Sequence, residues 1–249
     1  MTKTLILIPS RMAATRLPGK PLLKINNLSI ISHVFKRAEE AGVGEVVVAT
    51  EDKEIFTDVL KNGGRAIITK KNHKTGTDRI FEAYTKLDIK NVDYILNLQG
   101  DEPDINKNDI ISLNNYMINN EADMGTLAAQ IKDNKMLDDK NIVKVITESK
   151  IEENNFVKAL NFTRGNLSVN NLNIYHHIGI YSYKVSVLKK FISLPQTKNE
   201  IKNRLEQLRA LDNNIKINVA LSKSSPIGVD TEEDYLAIKK IIEYKANNE

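Results

Sequence analysis

The sequence predicts an α/β chain built on a mainly parallel sheet, and two observations predict it. Apolar runs of strand length, 5–8, 45–50, 66–69 and 92–98, alternate with segments of helical periodicity. Alternation of this kind joins parallel strands through right-handed crossovers. The length of 249 residues also suffices for one sizeable core, as one large domain or as a domain with a smaller lobe.

Composition removes several classes of function. There is no cysteine, which excludes disulfides, thiolate metal ligands and a cysteine nucleophile. The net charge is +4 with acids and bases interspersed, so no basic stripe suggests nucleic-acid binding. The N-terminal apolar run is too short for a signal-peptide core or a membrane span. A cytoplasmic chain without a membrane partner is the expectation.

The first strand, Leu5 to Ile8, is expected to stop at Pro9, which cannot donate to a sheet ladder. The loop that follows carries Arg11, Arg16 and Lys20, the small residues Ala13, Ala14 and Thr15, and a turn at Pro18-Gly19. Cations and free N–H groups at a strand's carboxyl end can hold a polyphosphate; a solvated basic loop is the equal alternative. Gly19-Lys20 has no glycine five residues before Gly19, and Pro21 stands where a Walker loop needs Ser or Thr. No G-x-G-x-x-G occurs. A P-loop ATPase and a dinucleotide-binding dehydrogenase both lose ground.

Ser29 can cap a helix whose apolar face is Ile30, Ile31, Val34, Phe35 and Ala38, ended by Gly42 and Gly44. His33 on it reads as a surface or core-edge histidine. The strand 45–50, a helix over 52–62 stopped at Gly63-Gly64, and the strand 66–69 follow. Thr75 or Thr77 can cap the next helix, through Ile80, Phe81, Tyr84 and Leu87. The strand 92–98 runs into Gln99-Gly100-Asp101-Glu102-Pro103. Ligands of such sheets bind beyond the strands' carboxyl ends, so Asp101 can face the same crevice as the cationic loop. Magnesium prefers one or two carboxylates plus phosphate oxygens, and Asp101 is the natural ligand; a solvated turn aspartate is the plainer alternative.

Asn106 or Asn108 can start a helix through Tyr116 and Ile118. From Met124 onward the pattern turns to strands, over 125–131, 142–146 and 156–160, with polar turns between them. His176 and His177 are adjacent on a strand and point to opposite faces, so they should not share a metal. Residues 199–212 predict one amphipathic helix and 215–221 a last strand. Thr231 can cap the final helix with Asp234 three positions on, Asp230 standing just before the cap.

The run PSRMAATRLPGKPL (9–22) is similar to the N-terminal signature of sugar-activating nucleotidyltransferases, and most of all to that of the 3-deoxy-manno-octulosonate (Kdo) cytidylyltransferase family. The segments HKTGTDR (73–79), NLQGDEP (97–103), NIVKV (141–145), NFTR (161–164), HHIGIYSY (176–183), LEQLR (205–209) and GVDTEED (228–234) resemble that family's blocks in order. The resemblance implies a Rossmann-like, mainly parallel sheet of the nucleotide-diphospho-sugar transferase type. Within a single domain over 1–249 it implies a small inserted β-rich lobe, approximately 124–184, carrying part of the sugar-acid pocket and a homodimer contact. It implies the reaction CTP plus Kdo giving CMP-Kdo and diphosphate, for lipopolysaccharide synthesis. Mg2+ would sit on Asp101 and Asp230, with Arg11 and Lys20 also catalytic. The nucleotide would meet Arg11, Arg16, Lys20, Thr75, Gly76 and Gln99. The sugar acid would meet Arg164, whose planar fork suits a carboxylate, with His177, Glu206 and Gln207.

The chain also departs from that pattern. Gly165-Asn166-Leu167-Ser168 replaces a proline-containing segment, and Asn203 stands where many relatives carry a second Glu. Both lie at the sugar end, which keeps 8-amino-Kdo or a related ulosonic acid as an alternative acceptor. A catalytically silent nucleotide-binding protein on the same scaffold is the alternative from a different class. Retention of both Asp101 and Asp230 argues against it.

Overall fold

The computed structural model describes residues 2–13, 16–133, 135–165 and 173–247. Ala14 and Thr15 of the first loop, and Asn166, Leu167 and Ser168 of the departing segment, lie outside them. In chain order the elements are β1 (Thr4–Ser10), a one-turn 3-10 helix (Lys20–Leu22), β2 (Lys24–Ile25), β3 (Leu28–Ser29), α1 (Ile30–Glu40), β4 (Gly44–Thr50), α2 (Lys53–Lys61), β5 (Ala66–Ile68), α3 (Gly76–Leu87), β6 (Tyr94–Asn97) and α4 (Lys107–Asn119). Then come β7 (Met124–Ala129), α5 (Lys135–Asp138), β8 (Lys144–Thr147), β9 (Val157–Thr163), β10 (Asn173–Lys184), α6 (Val185–Ser193), α7 (Lys198–Asn203), α8 (Leu208–Asp212), β11 (Ile217–Leu221) and α9 (Glu232–Ala246). They fall into two compact units, one of Lys3–Ile111 with Pro226–Glu249 and the other of Ser112–Ser225.

The first unit is α/β. Its strands run in the order β5-β4-β1-β6, all parallel. The chain steps outward from β1 to β4 to β5 and then returns to the far side of β1 as β6. The order therefore reverses beside β1, and a crevice opens there at the strands' carboxyl ends. The apolar face of α1 packs as its periodicity predicts, with Ile30, Ile31, Val34, Phe35 and Ala38 buried and the Ser29 hydroxyl accepting from the Ser32 N–H. His33 sits at the core edge, its Nε2 2.8 Å from the Ile25 carbonyl oxygen. A separate cluster of Ile25, Ile30, Val229, Ile238 and Ile242 packs the start of α1 against α9, with Leu17 and Leu23 at its margin. That cluster fixes the chain on either side of Arg16, Lys20 and Asp230.

One expectation for this unit fails. β1 continues through Pro9 to Ser10, with Pro9 opposite Ala49 of β4. The pairing with β6 ends at Leu7, so the last residues of β1 have a ladder on one side only. A proline without an N–H is tolerated on such an edge.

The second unit is largely antiparallel. β7 pairs β10 antiparallel and β11 parallel; β9 joins β11 to β8, and β8 returns to β10. The five pairings make a closed circuit. Lys144 on β8 is fully buried and donates to the carbonyls of Asp139, Ile142 and Arg164 at 2.8, 3.2 and 3.4 Å. The expected single helix over 199–212 is also corrected. The chain forms α7 and α8 with a break between them, where Arg204 takes a left-handed conformation (φ 52). The break lets Arg209 turn back onto Glu200, with bonds of 2.6 and 2.8 Å between two buried side chains. Once formed, such a pair resists loss, because either partner alone would be a buried, uncompensated charge. Among the described residues no helix is long and apolar enough to cross a membrane.

Candidate active site

The first unit carries a pocket of about 410 Å3 in the crevice beside β1. Arg11, Arg16, Lys20, Thr75, Gly76, Gln99, Asp101 and Asp230 all line it. The chain holds each of them by local means. Gly19 takes a left-handed conformation (φ 72) that turns the loop into the short helix beginning at Lys20. The Met12 N–H donates to Asp52 at 2.7 Å and ties the start of the loop to the residue before α2. Thr75 caps α3 in a capping box with Asp78, which fixes the helix N-terminus with Thr75 and Gly76 on the pocket wall, where the positive end of the helix dipole favours an anion. Gly100 lets the turn after β6 pass close to β1, since a Cβ there would lie 2.9 Å from the Pro9 carbonyl oxygen. Thr231 and Asp234 form the corresponding box on α9, and Asp234 also accepts from the Asp230 N–H at 3.1 Å. Burial works against the charge of Asp234, but these hydrogen bonds prevail and hold its carboxyl below the usual range.

The three charged elements converge. Lys20 Nζ lies 2.7 Å from Asp101 Oδ2 and 3.0 Å from Asp230 Oδ1, and donates to the Val229 carbonyl at 2.6 Å. Arg16 reaches the other oxygen of Asp230 at 2.8 Å, and the Val229 N–H donates to the Asp101 carbonyl at 2.9 Å. Burial opposes the Lys20 charge, yet the two carboxylates raise its pKa above the ordinary lysine value. Glu102, next in sequence, behaves differently. Its Oε2 is buried without a hydrogen-bond partner. Burial, followed by the charge of Asp101, pushes its pKa up to about 8, which disfavours a third negative charge beside Asp101 and Asp230.

Arg11 is exposed on the pocket wall. His73, Lys74 and Arg79 line the pocket too; they belong to the HKTGTDR block, in which the resemblance implies nucleotide contacts at Thr75 and Gly76. Arg79 is buried, where it donates to Thr69 at 2.6 Å and pairs with Glu51. His73 bonds Glu82, six residues into α3. Burial works against the Glu82 charge, but Lys86, the Lys70 N–H and His73 bring its pKa down to about 2. Cations outnumber carboxylates on the pocket wall, which suits a polyanion.

The sugar-acid candidates lie in the second unit. His177 is 8% exposed. Its Nε2 is 2.9 Å from Thr126 Oγ1, and its ring meets Phe162 edge-on at 5.1 Å and Tyr181 at 5.3 Å. Burial, then the charges of His176 and Arg164, push its pKa down to about 3. His176 instead meets Ser225 at 3.1 Å, consistent with opposite faces. Arg164 donates to the carbonyl of Asn141 at 2.8 Å and more weakly to that of Lys140 at 3.4 Å. Gln207 is buried at the start of α8. Glu206 lies 3.6 Å from Arg209, and its charge reaches Tyr181. Asn203 bonds Asn199 within its own helix. Sequence reasoning missed Thr126, which is 51 residues from His177 and carries no motif.

A family described as cytidylyltransferase matches residues 5–217. A curated 3-deoxy-manno-octulosonate cytidylyltransferase of Nitrobacter winogradskyi is 44% identical over 99% of this chain and 97% of its own length. This chain belongs to the 3-deoxy-manno-octulosonate cytidylyltransferase family. A second member, from Bartonella bacilliformis, is 41% identical over 96% of this chain and 98% of its own. A solved CMP:2-keto-3-deoxy-manno-octonic acid synthetase complexed with CTP superimposes with a TM-score of 0.89 at 34% identity, covering 98% of this chain and 100% of that one. A UDP-glucose pyrophosphorylase with a TM-score of 0.73 and 15% identity, covering 98% of this chain and all of its own, shares the fold. The fold is thus the mixed α/β fold of nucleotide-diphospho-sugar transferases.

Proposed function

We propose that this chain activates Kdo with CTP, giving CMP-Kdo and diphosphate for lipopolysaccharide synthesis, and that the residues assigned above carry the reaction. The observation that supports the residue assignment is the convergence of Asp101, Asp230 and Lys20 in the cationic pocket beside β1. In-line attack of the sugar acid's anomeric hydroxyl on the α-phosphorus, with diphosphate leaving, is mostly positioning and charge neutralisation. Lys20 and Arg11 neutralise the phosphates and the leaving group, with Arg16 assisting. Thr75, Gly76 and Gln99 hold the nucleotide, with the positive end of the α3 dipole beside it. Arg164 pairs the sugar-acid carboxylate, and His177, Glu206 and Gln207 take its hydroxyls.

Two carboxylates already aimed at one cation, the Lys20 ammonium, are a donor set that fits Mg2+ completed by phosphate oxygens. Asp101 and Asp230 would hold the ion. When bound, it supplies charge neutralisation at the α-phosphate and eases ionisation of the attacking hydroxyl. Two copies of the chain form the working particle, which sedimentation as a monomer would contradict.

The test is diphosphate release with magnesium and CTP, comparing Kdo, 8-amino-Kdo, sialic acid and no acceptor. Release with Kdo, abolished in a folded Asp101→Asn variant, is the expected result. Release with another acid alone would move the assignment to that acid. CTP binding without release for any acid would replace catalysis with a silent nucleotide-binding role.

A further inference from the structure

Thr126 lies where β10 is irregular. The register between β10 and β7 steps from Ile178 opposite Leu127 to Tyr181 opposite Thr126, so Gly179 and Ile180 bulge from the ladder. The fully buried Thr126 hydroxyl fills the irregularity. Its Oγ1 is 2.7 Å from the Ile180 carbonyl, 3.1 Å from the Ile178 carbonyl and 2.9 Å from His177 Nε2. A hydroxyl has one hydrogen to give. Carbonyl oxygens only accept, so that hydrogen belongs to them. The remaining partner must then donate, which places a proton on His177 Nε2.

We propose that Thr126 is a positioning residue that locks His177 as its Nε2–H tautomer, leaving Nδ1 as an acceptor for a hydroxyl of the sugar acid. This rests on the reading of His177 as a sugar-acid contact. Nδ1 has no protein partner among the described residues. The ring is clamped by Phe162 and Tyr181. Burial, reinforced by the nearby positive charge of Arg164, keeps it neutral. The work is thereby divided. A neutral acceptor cannot pair a carboxylate, so the acid's charge falls to Arg164 and hydroxyl recognition to His177.

The test begins with wild-type protein labelled with 15N-histidine, using two-bond 1H–15N correlation at pH 7 with His177 assigned by a His177→Gln variant. The expected pattern is a protonated Nε2 and a bare Nδ1. Thr126→Ser keeps the hydroxyl and should keep the pattern. Thr126→Val should mix the tautomers and raise the sugar-acid KM about tenfold, the scale of one lost neutral hydrogen bond, with the CTP KM unchanged. A protonated Nδ1 or an imidazolium in the wild type overturns the proposal whatever the variants do. The expected tautomer, with a sugar-acid KM unmoved in both Thr126→Val and His177→Gln, overturns instead the sugar-acid role of His177, and the hydroxyl recognition with it.

Discussion

Replacing Lys20 with methionine removes the cation that Asp101 and Asp230 share. The ammonium loses two charge-assisted bonds, at 2.7 and 3.0 Å, and one to the Val229 carbonyl at 2.6 Å. The Lys20 side chain is only 14% exposed, but Asp101 is 30% and Asp230 50% exposed. Solvent therefore screens much of the pairing, and Arg16 stays beside Asp230. The fold should lose about 1–2 kcal/mol. Catalysis should lose more, because a donor aimed at charge developing in the transition state is worth about 10²–10³ in kcat, about 3–4 kcal/mol. Urea unfolding gives the first quantity, and diphosphate release at saturating substrates gives the second. The two states of Lys20 add a pH check. Its folded pKa is raised, so its stabilisation is full below pH 10.5 and is lost as pH rises through the folded value. The stability gap between wild type and Lys20→Met should close above that pH. A kcat drop under about tenfold alongside the full loss of stability would make Lys20 a structural lysine and refute the reasoning.

Two further variants probe the pocket walls. Glu82→Gln should destabilise the protein by about 2 kcal/mol at pH 7, a figure already reduced for the partly exposed Lys86 partner. Because the Glu82 pKa is depressed from 4.5 to about 2, that stabilisation is present above pH 4.5 and lost as pH falls toward 2. Urea titrations at pH 7 and pH 3 should show the gap shrinking, and an equal gap at both would remove the ion pairs as its cause. Gly100→Ala should lower both melting temperature and kcat, since the new Cβ would meet the Pro9 carbonyl oxygen at 2.9 Å and displace the turn bearing Asp101, at about 1–3 kcal/mol of strain. Unchanged melting and turnover would show that the turn relaxes freely.

The parallel half of the molecule was legible because its periodicity and punctuation agree. The caps at Ser29 and Thr231 form where the sequence places them, and of Thr75 and Thr77 it is Thr75 that caps α3. The resemblance names the residues expected to meet the nucleotide, and the structure gathers those residues around one pocket. The failures have a common physical origin. Pro9 was read as a strand end because sequence does not say on which side of a strand the neighbour stops. The helix over 199–212 was read as continuous because amphipathic spacing does not reveal the Glu200–Arg209 pair that needs the break. Likewise Lys144, read as part of a family block, gives no hint in its own neighbourhood that it is buried against the Arg164 carbonyl. Such contacts are made through space, and each depends on a fold that a local window does not contain.

The first unit is discontinuous along the chain, and the two carboxylates that meet Lys20, Asp101 and Asp230, sit on opposite sides of the interruption. Lys20 meets Asp101 across 81 residues and Asp230 across 210. Synthesis runs from the amino end, so a growing polypeptide displays the cationic loop and one carboxylate long before the second arrives. Closing so wide a span is among the slow events of folding. The constellation is therefore completed only after the whole intervening 112–225 segment has left the ribosome. A partly made chain therefore carries the cationic loop and Asp101 without the second carboxylate that completes the cluster.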